Sequence, residues 1–442
     1  SVESVGTSNP EMETPSADDL RAEAITSKSI SSDGSRVTVR IPWTHPSGKP
    51  QVSSNKPQAE QRLRSLQRSL ASRPEVQKQY ESVMASHLKK GYVRCVSPDK
   101  VAADGSDQWY LPHFPVVRED KTTTKVRIVF DGAARWDNRS INDEMFTGPA
   151  LQNDLTSVLL CFSLEPVALV GDISEMFLQV KLAEADQRYH RFLWYNDTGQ
   201  IEVYQFTRVV FGAKASPYLA GRAVKEVLMC HGDDYDPDVV QCLSKDMYVD
   251  DMLSSLATPE RAIAARRQTQ QLLARGGFHM RKWLSNSSDV MSTIPEEDQS
   301  PDICRAVDDA NDNCLPTVKT LGVSWNAEKD VFTFRCQVKA ITKFTRRSVL
   351  RGLASIFDPR GLISPYAIRA KVMLQDAWLL EGGWDDELPA DHVIKWKEWF
   401  HGLPELSSIA LQRCFKDPEL PSAAATLSVH CFTDASDRAI AA

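Results

Sequence analysis

Met247-Tyr248-Val249-Asp250-Asp251-Met252-Leu253 is the stretch whose reading decides the fold. Apolar residues lead into it and away from it, with two adjacent carboxylates between them, the pattern of a tight β-hairpin with an anionic tip. Two neighbouring carboxylates repel each other, so a protein keeps such a tip where cations neutralise it. Asp-Asp pairs also occur at Asp18-Asp19, Asp233-Asp234, Asp308-Asp309 and Asp385-Asp386, but none has this setting. Asp233-Asp234 in particular lies in the polar run 231–238, which reads as a loop.

Upstream, Val167-Ala168-Leu169-Val170 is an apolar strand candidate that passes through Gly171-Asp172 into a short turn, so Asp172 closes a buried strand. A central strand ending in one Asp, beside a hairpin tipped by two, lets Asp172, Asp250 and Asp251 converge on two divalent ions about 3.5–4 Å apart, the arrangement used for in-line displacement at phosphorus. Asp is also a common strand-end turn residue. The company these residues keep decides between the two readings.

Five blocks occur in one order: Lys125-Val126-Arg127-Ile128-Val129-Phe130-Asp131, then Asp172 with Phe177, then Phe211-Gly212-Ala213-Lys214-Ala215-Ser216-Pro217, then Tyr248-Val249-Asp250-Asp251, then Leu321-Gly322-Val323-Ser324-Trp325. This series resembles that of retroelement reverse transcriptases. Gly148-Pro149-Ala150-Leu151-Gln152, Lys343-Phe344-Thr345-Arg346-Arg347, Phe357-Asp358-Pro359-Arg360-Gly361 and Gly383-Trp384-Asp385-Asp386 sharpen the resemblance to the BEL/Pao family of LTR retrotransposons, from about residue 36 onward.

The resemblance implies an α+β right-hand polymerase of fingers, palm and thumb with an antiparallel palm sheet, followed by a connection and the truncated start of a ribonuclease H-like domain. The implied layout is a linker over 1–35, an N-terminal segment and fingers over 36–165, palm and primer-grip hairpin over 166–330, thumb and connection over 331–423, and the ribonuclease H start over 424–442. The implied activity is RNA-directed and DNA-directed DNA polymerisation, a two-metal transfer of a nucleotide from a dNTP to a primer 3′-hydroxyl. Two Mg2+ ions, or Mn2+ in their place, would be held by Asp172, Asp250 and Asp251. Implied partners are RNA and DNA template and primer, dNTPs, a tRNA primer, and a second copy or other products of the same polyprotein. The implied location is cytoplasmic virus-like particles, with products acting in the nucleus. Two alternatives stand beside this: a decayed retroelement fragment that only binds nucleic acid, and an RNA polymerase or nucleotide cyclase sharing the palm.

Residue by residue, the resemblance gives dNTP contacts to Arg127, Arg118, Phe177 and Lys282. Arg127, on an alternating strand pattern, offers a planar fork of donors to triphosphate oxygens. Arg118 and Lys121 flank or enter the polar turn opposite it, and which of them touches phosphate stays open. An aromatic ring at Phe177, packed under the sugar, leaves no room for a 2′-hydroxyl. Lys282 is either a proton donor to the departing pyrophosphate or a plain solvated lysine. Template and primer contacts fall to Gly212, Lys214, Ser216, Pro217, Tyr248 and Gly322. Ser216-Pro217 opens a helix, and Gly212 and Gly322 permit close backbone approach. Phe211 stands where the retroviral pattern has Gln, which signals different packing around the nucleotide. Asp434, in an alternating stretch near the end, resembles the first metal ligand of a ribonuclease H domain; the chain stops eight residues later, so no ribonuclease H activity is expected.

Composition sets wider bounds. A chain of 442 residues that is 42% hydrophobic has material for two to four domains with ordinary cores. A net charge of −7 suits a nucleic-acid enzyme only if the groove is locally basic, with Arg62, Arg64, Arg68, Lys89, Lys90, Arg346, Arg347 and Arg351 as candidates. Nine scattered cysteines without metal spacing point to a reducing compartment. No apolar run is long enough for a membrane span, and a Ser at position 1 suits a piece of a longer polyprotein. Asp197-Thr198-Gly199 matches an aspartic-protease signature by letter but joins two strand patterns, so it reads as a hairpin turn.

Overall fold

The computed structural model describes residues 15–117, 126–196, 198–300, 317–320, 323–334, 341–416, 428, 430–438 and 440–441. It is an α+β fold with mostly antiparallel strands, divided into two compact units between which the chain alternates. One unit draws on Ser1–Gln152, Ile173–Ser244 and Arg267–Met280, the other on Asn153–Asp172, Lys245–Arg266 and Arg281–Ala442.

In the first unit, strands His113–Val117 and Val126–Phe130 pair antiparallel, and Val93–Cys95, Ile201–Phe206 and Arg191–Tyr195 form a three-stranded sheet. Phe130, Phe192 and Phe206 interlock edge to face and tilted, with centroids 4.7 to 5.4 Å apart, around the buried His113. The pairing of Tyr195 with Ile201 makes 196–200 a hairpin connection, as expected for the protease-like letters; Asp197 itself lies outside the described residues. Helix Lys56–Ala71 buries Leu63, Leu66 and Leu70 on one face, the stripe its spacing predicts.

The linker expected over 1–35 needs correction, because Ala17–Ser29 is a helix. Ser16 caps it reciprocally with Asp19, and Glu23 accepts hydrogen bonds from Tyr218 Oη at 2.7 Å and Arg222 Nε at 3.1 Å. The misreading has a physical cause. The helix buries only Ala22 and Thr26, so its composition stays polar while side-chain hydrogen bonds dock it. The strand Val37–Val39 pairs parallel with Lys181–Leu182, and the buried Asp186 fastens the chain just beyond Val39 by accepting from Ile41 N at 3.0 Å and Trp43 Nε1 at 2.9 Å.

The second unit holds a four-stranded sheet in the order Met247–Tyr248, Asp251–Leu256, Val167–Ile173, Met280–Ser285, whose last strand begins in the first unit. Val167–Ile173 is central and buried except at Asp172, which explains its unbroken apolar run. Ser255 Oγ ties the sheet to the helix Leu155–Cys161 below it, donating to Cys161 O at 2.7 Å and accepting from Glu165 N at 3.1 Å. A second sheet runs Thr317–Thr320, Val323–Asn326, Val331–Thr333, Ala410–Gln412. Helices Arg346–Ala354, Ser364–Trp378 and Ala390–Gly402 pack around Trp396, Trp399, Val349 and Ala370. Arg346 is not a groove residue. It is buried, and its guanidinium donates to Ala377 O at 2.8 Å in the last turn of the helix Ser364–Trp378 and to Gly383 O at 3.1 Å in the segment that follows. No helix among the described residues is long and apolar enough to cross a membrane.

Candidate active site

Met247 pairs with Met252 and Tyr248 with Asp251, which leaves Val249-Asp250 as a two-residue turn. Two-residue turns that match strand twist require left-handed backbone, and Val249 adopts it at φ 59°. For a β-branched residue this is a strained conformation. The hairpin is held from beneath: Met247, Met252 and Leu253 are buried, Leu253 N donates to Asp246 O at 2.9 Å, and Asn153 Nδ2 donates to Met247 O at 2.9 Å. Asp246 is itself buried and accepts from Ser254 Oγ. Burial pushes its carboxyl up to about 7, against the opposing pull of Ser254 and Lys245.

Asp251 faces Asp172 directly across the antiparallel pair. Directly opposed residues project to the same face with Cβ atoms about 4.5–5.5 Å apart. The two strands therefore bring Asp172 and Asp251 together, with Asp250 one residue along in the turn. Lys282 Nζ lies 2.7 Å from Asp172 Oδ2, so of its two readings the lysine is not simply solvated. Its backbone is left-handed at φ 55°, within an otherwise regular strand. Among the described residues, no three acidic, His or Cys side chains are already gathered around one point. The donor set fits a hard divalent cation all the same: carboxylate oxygens only, two on facing strands and one on the adjoining turn, with an ammonium group on the first of them.

The first unit carries the remaining candidates. Phe177, in the short helix Met176–Gln179, is only 7% exposed, and its ring lies 4.2 Å from that of Phe211 at 44°. Glu175, just before that helix, is left-handed at φ 51° and is gripped by Lys90 Nζ at 2.8 Å and Tyr92 Oη at 2.8 Å. Partial burial opposes ionisation of Glu175, but these two partners outweigh it and lower its pKa. Lys90, a groove candidate, is thus committed to an ion pair.

Gly212 sits at φ 103°, where a Cβ would come within 1.9 Å of Phe130 O, so no other residue fits. Asn142 brackets this turn, donating from Nδ2 to Gly212 O at 3.1 Å and accepting from Lys214 N at 2.9 Å. Ser216 Oγ donates to Val210 O at 2.6 Å, and Ser216-Pro217 open the helix Ser216–His231, as expected. Gly148 lies flat against the Tyr218 ring, 2.3 Å from where a Cβ would be. Arg127 is exposed on the hairpin strand opposite Val116. Arg118 and Gly322 lie outside the described residues, although Thr320 pairs with Val323 around the latter. Asp434 lies in a short strand, Asp434–Ala435, paired with Ile440–Ala441.

Asn142, Glu175 and Asp246 were not among the sequence candidates. Asn142 and Glu175 act through partners 70 and 85 residues away, which no local pattern announces. Asp246 could have been found as a lone acid just ahead of an apolar strand.

Residues 161–282 match the model of the reverse transcriptase (RNA-dependent DNA polymerase) family, and residues 345–442 match that of the Pao retrotransposon-like RNaseH-like domain. The second match begins inside the stretch expected as thumb and connection. No curated protein matches the chain. Among solved structures, the chain is similar to a foamy viral protease-reverse transcriptase in complex with double-stranded DNA, at 16% identity and a TM-score of 0.49, over 77% of this chain and 50% of that one. This chain thus spans about half the length of that protein. Two family matches in this order, one over the carboxylate hairpin and one over the helices beyond it, mark residues 161–282 as similar to reverse transcriptases and residues 345–442 as similar to the Pao retrotransposon domain.

Proposed function

We propose that the chain is an RNA- and DNA-directed DNA polymerase that extends a primer 3′-end with dNTPs. The observation that carries this reading is the register that sets Asp172 opposite Asp251 beside the Asp250 turn. When bound by these three carboxylates, two magnesium ions, or manganese, supply an activated 3′-oxygen and neutralise the triphosphate. The 3′-hydroxyl releases its proton to solvent and its oxygen bonds to the α-phosphorus as the bond to pyrophosphate breaks. The Lys282 ammonium, fixed beside Asp172, gives a proton to the departing pyrophosphate. Phe177 excludes a 2′-hydroxyl, and Arg127 with Arg118 holds the triphosphate. Gly212, Lys214, Ser216 and Pro217 support the template and nucleotide, while Tyr248 and Gly322 seat the primer end. Under this reading 36–165 serves as N-terminal segment and fingers, 166–330 as palm and 331–423 as thumb and connection, the partners are a tRNA-primed RNA or DNA template and sister products of the polyprotein, and the setting is a cytoplasmic particle.

Primer extension on poly(rA)/oligo(dT) with magnesium, comparing the parent with Asp250→Asn, tests it. The parent should incorporate dTMP, and the variant should lose at least about a hundredfold, the several kcal/mol of charge stabilisation a metal site provides. Equal behaviour of the two proteins would refute the assignment.

A further inference from the structure

Arg208, in the first unit, stands opposite Lys181 in an isolated antiparallel pairing whose flanks are bonded by Leu182 N to Thr207 O at 2.9 Å and by Val209 N to Val180 O at 3.0 Å. Directly opposed residues project to one face, so the two cationic side chains stand side by side on a fixed backbone. Arg208 is partly buried, and its Nε is wholly covered without a hydrogen-bond partner among the described residues. A covered donor on a charged group is costly to keep unless something outside the chain takes its hydrogen bond.

The acids nearby are already used. One oxygen of Asp33 accepts from Lys181 Nζ at 2.5 Å, the other from Ser35 N at 2.9 Å and Arg36 N at 2.7 Å. Glu175 serves Lys90 and Tyr92. Arg36 donates from Nη1 to neutral acceptors only, Gln179 Oε1 at 2.8 Å and Gln179 O at 3.1 Å. Burial first, and repulsion from the neighbouring Arg36 second, lower the Arg208 pKa against the opposing pull of Tyr92 and Asp33. The Lys181 charge is cancelled by Asp33, which leaves two guanidinium charges on one partly buried face. We propose that Arg36 and Arg208 form a binding site for a phosphate group, whose oxygens take the free donors of the two planar forks beside the Lys181–Asp33 pair. Two positive charges match the doubly charged form of free phosphate better than a singly charged phosphodiester. The inference goes beyond the polymerase reading and does not rest on it, because binding is measured whether or not the chain extends a primer.

The test is isothermal titration calorimetry of inorganic phosphate into the full chain at low ionic strength, with chloride in place of phosphate as the control. The parent should bind with a Kd of about 1 mM or tighter, the affinity that two charge-assisted hydrogen bonds provide. Arg208→Gln and Arg36→Gln should each weaken binding by about tenfold or more. In phosphate-free buffer Arg208→Gln should unfold at a temperature no lower than the parent's, because it removes a repelled and unbonded cation. A parent that binds no phosphate up to about 20 mM overturns the proposal, as does a folded Arg208→Gln protein that binds phosphate like the parent. Should Arg208→Gln unfold early, Arg36→Gln decides, and unchanged phosphate affinity there overturns the proposal equally. Repeating the titration with oligo(dT) bound assigns the source: unchanged affinity means a free anion, and lost affinity means that a backbone phosphate of nucleic acid takes the same place.

Discussion

Val249 places a β-branched side chain where backbone strain is least tolerable, at φ 59° in the turn that carries Asp250. Such strain is worth about 1–3 kcal/mol. Asn tolerates left-handed backbone, so Val249→Asn should raise unfolding stability by about 1 kcal/mol, read from denaturant midpoints. A variant less stable than the parent would show that the Val249 side chain packs usefully. Asp246, below the hairpin, makes a different prediction. Its carboxyl titrates near 7 when folded and near 3.8 when exposed, because burial penalises the charge. The folded state therefore holds a proton that the unfolded chain releases. The associated stability is complete below about pH 4 and is lost as pH rises through 7. Asp246→Asn should be nearly neutral at about pH 3 and stabilising by up to about 4 kcal/mol at about pH 8, the free-energy equivalent of that pKa difference. Urea unfolding of both proteins at the two pH values checks it. The three carboxylates were legible because apolar runs frame them. Asn142 was not, because its value lies in bonds to Gly212 and Lys214 that exist only after folding.

At the level of elements, apolar periodicity marked the strand Val167–Ile173, the helix Lys56–Ala71 and the Asp250-Asp251 hairpin. It failed for Ala17–Ser29, which docks through Glu23 on Arg222 and Tyr218 more than through apolar burial. It also could not separate Arg346 from Arg347. One is buried and closes the C-terminal end of the helix Ser364–Trp378, whereas the other pairs with Asp385 at the surface, 2.7 Å away. Arg346→Ala should cost about 3 kcal/mol in urea unfolding, since several carbonyls lose a charged donor, and Arg346→Lys should not recover it because a single ammonium cannot replace the planar fork. Arg347→Ala should produce no measurable change.

At the scale of the whole molecule, the family matches on 161–282 and 345–442 touch different parts of a chain that alternates between two units, so domain borders drawn as consecutive blocks describe it only coarsely. The ordering of motifs carried the resemblance to reverse transcriptases. The long-range ties could not be read from it. Arg413 is the clearest of these. It is fully buried, pairs with Asp330 at 2.6 Å, and donates to Glu165 O at 2.9 Å and Pro166 O at 2.8 Å, the residues that lead into the strand bearing Asp172. Arg413→Ala should speed amide hydrogen exchange along 167–173 by at least about tenfold without comparable change in 191–206. Equal protection in both proteins would mean that the clamp is dispensable. The clamp's partners are separated by 247 residues. During synthesis at roughly 5–20 residues per second, the apolar strand must wait some tens of seconds on the ribosome before its guanidinium emerges. A nascent polypeptide of this kind would depend on chaperone shielding, and ribosome pausing ahead of residue 413 would favour aggregation over assembly.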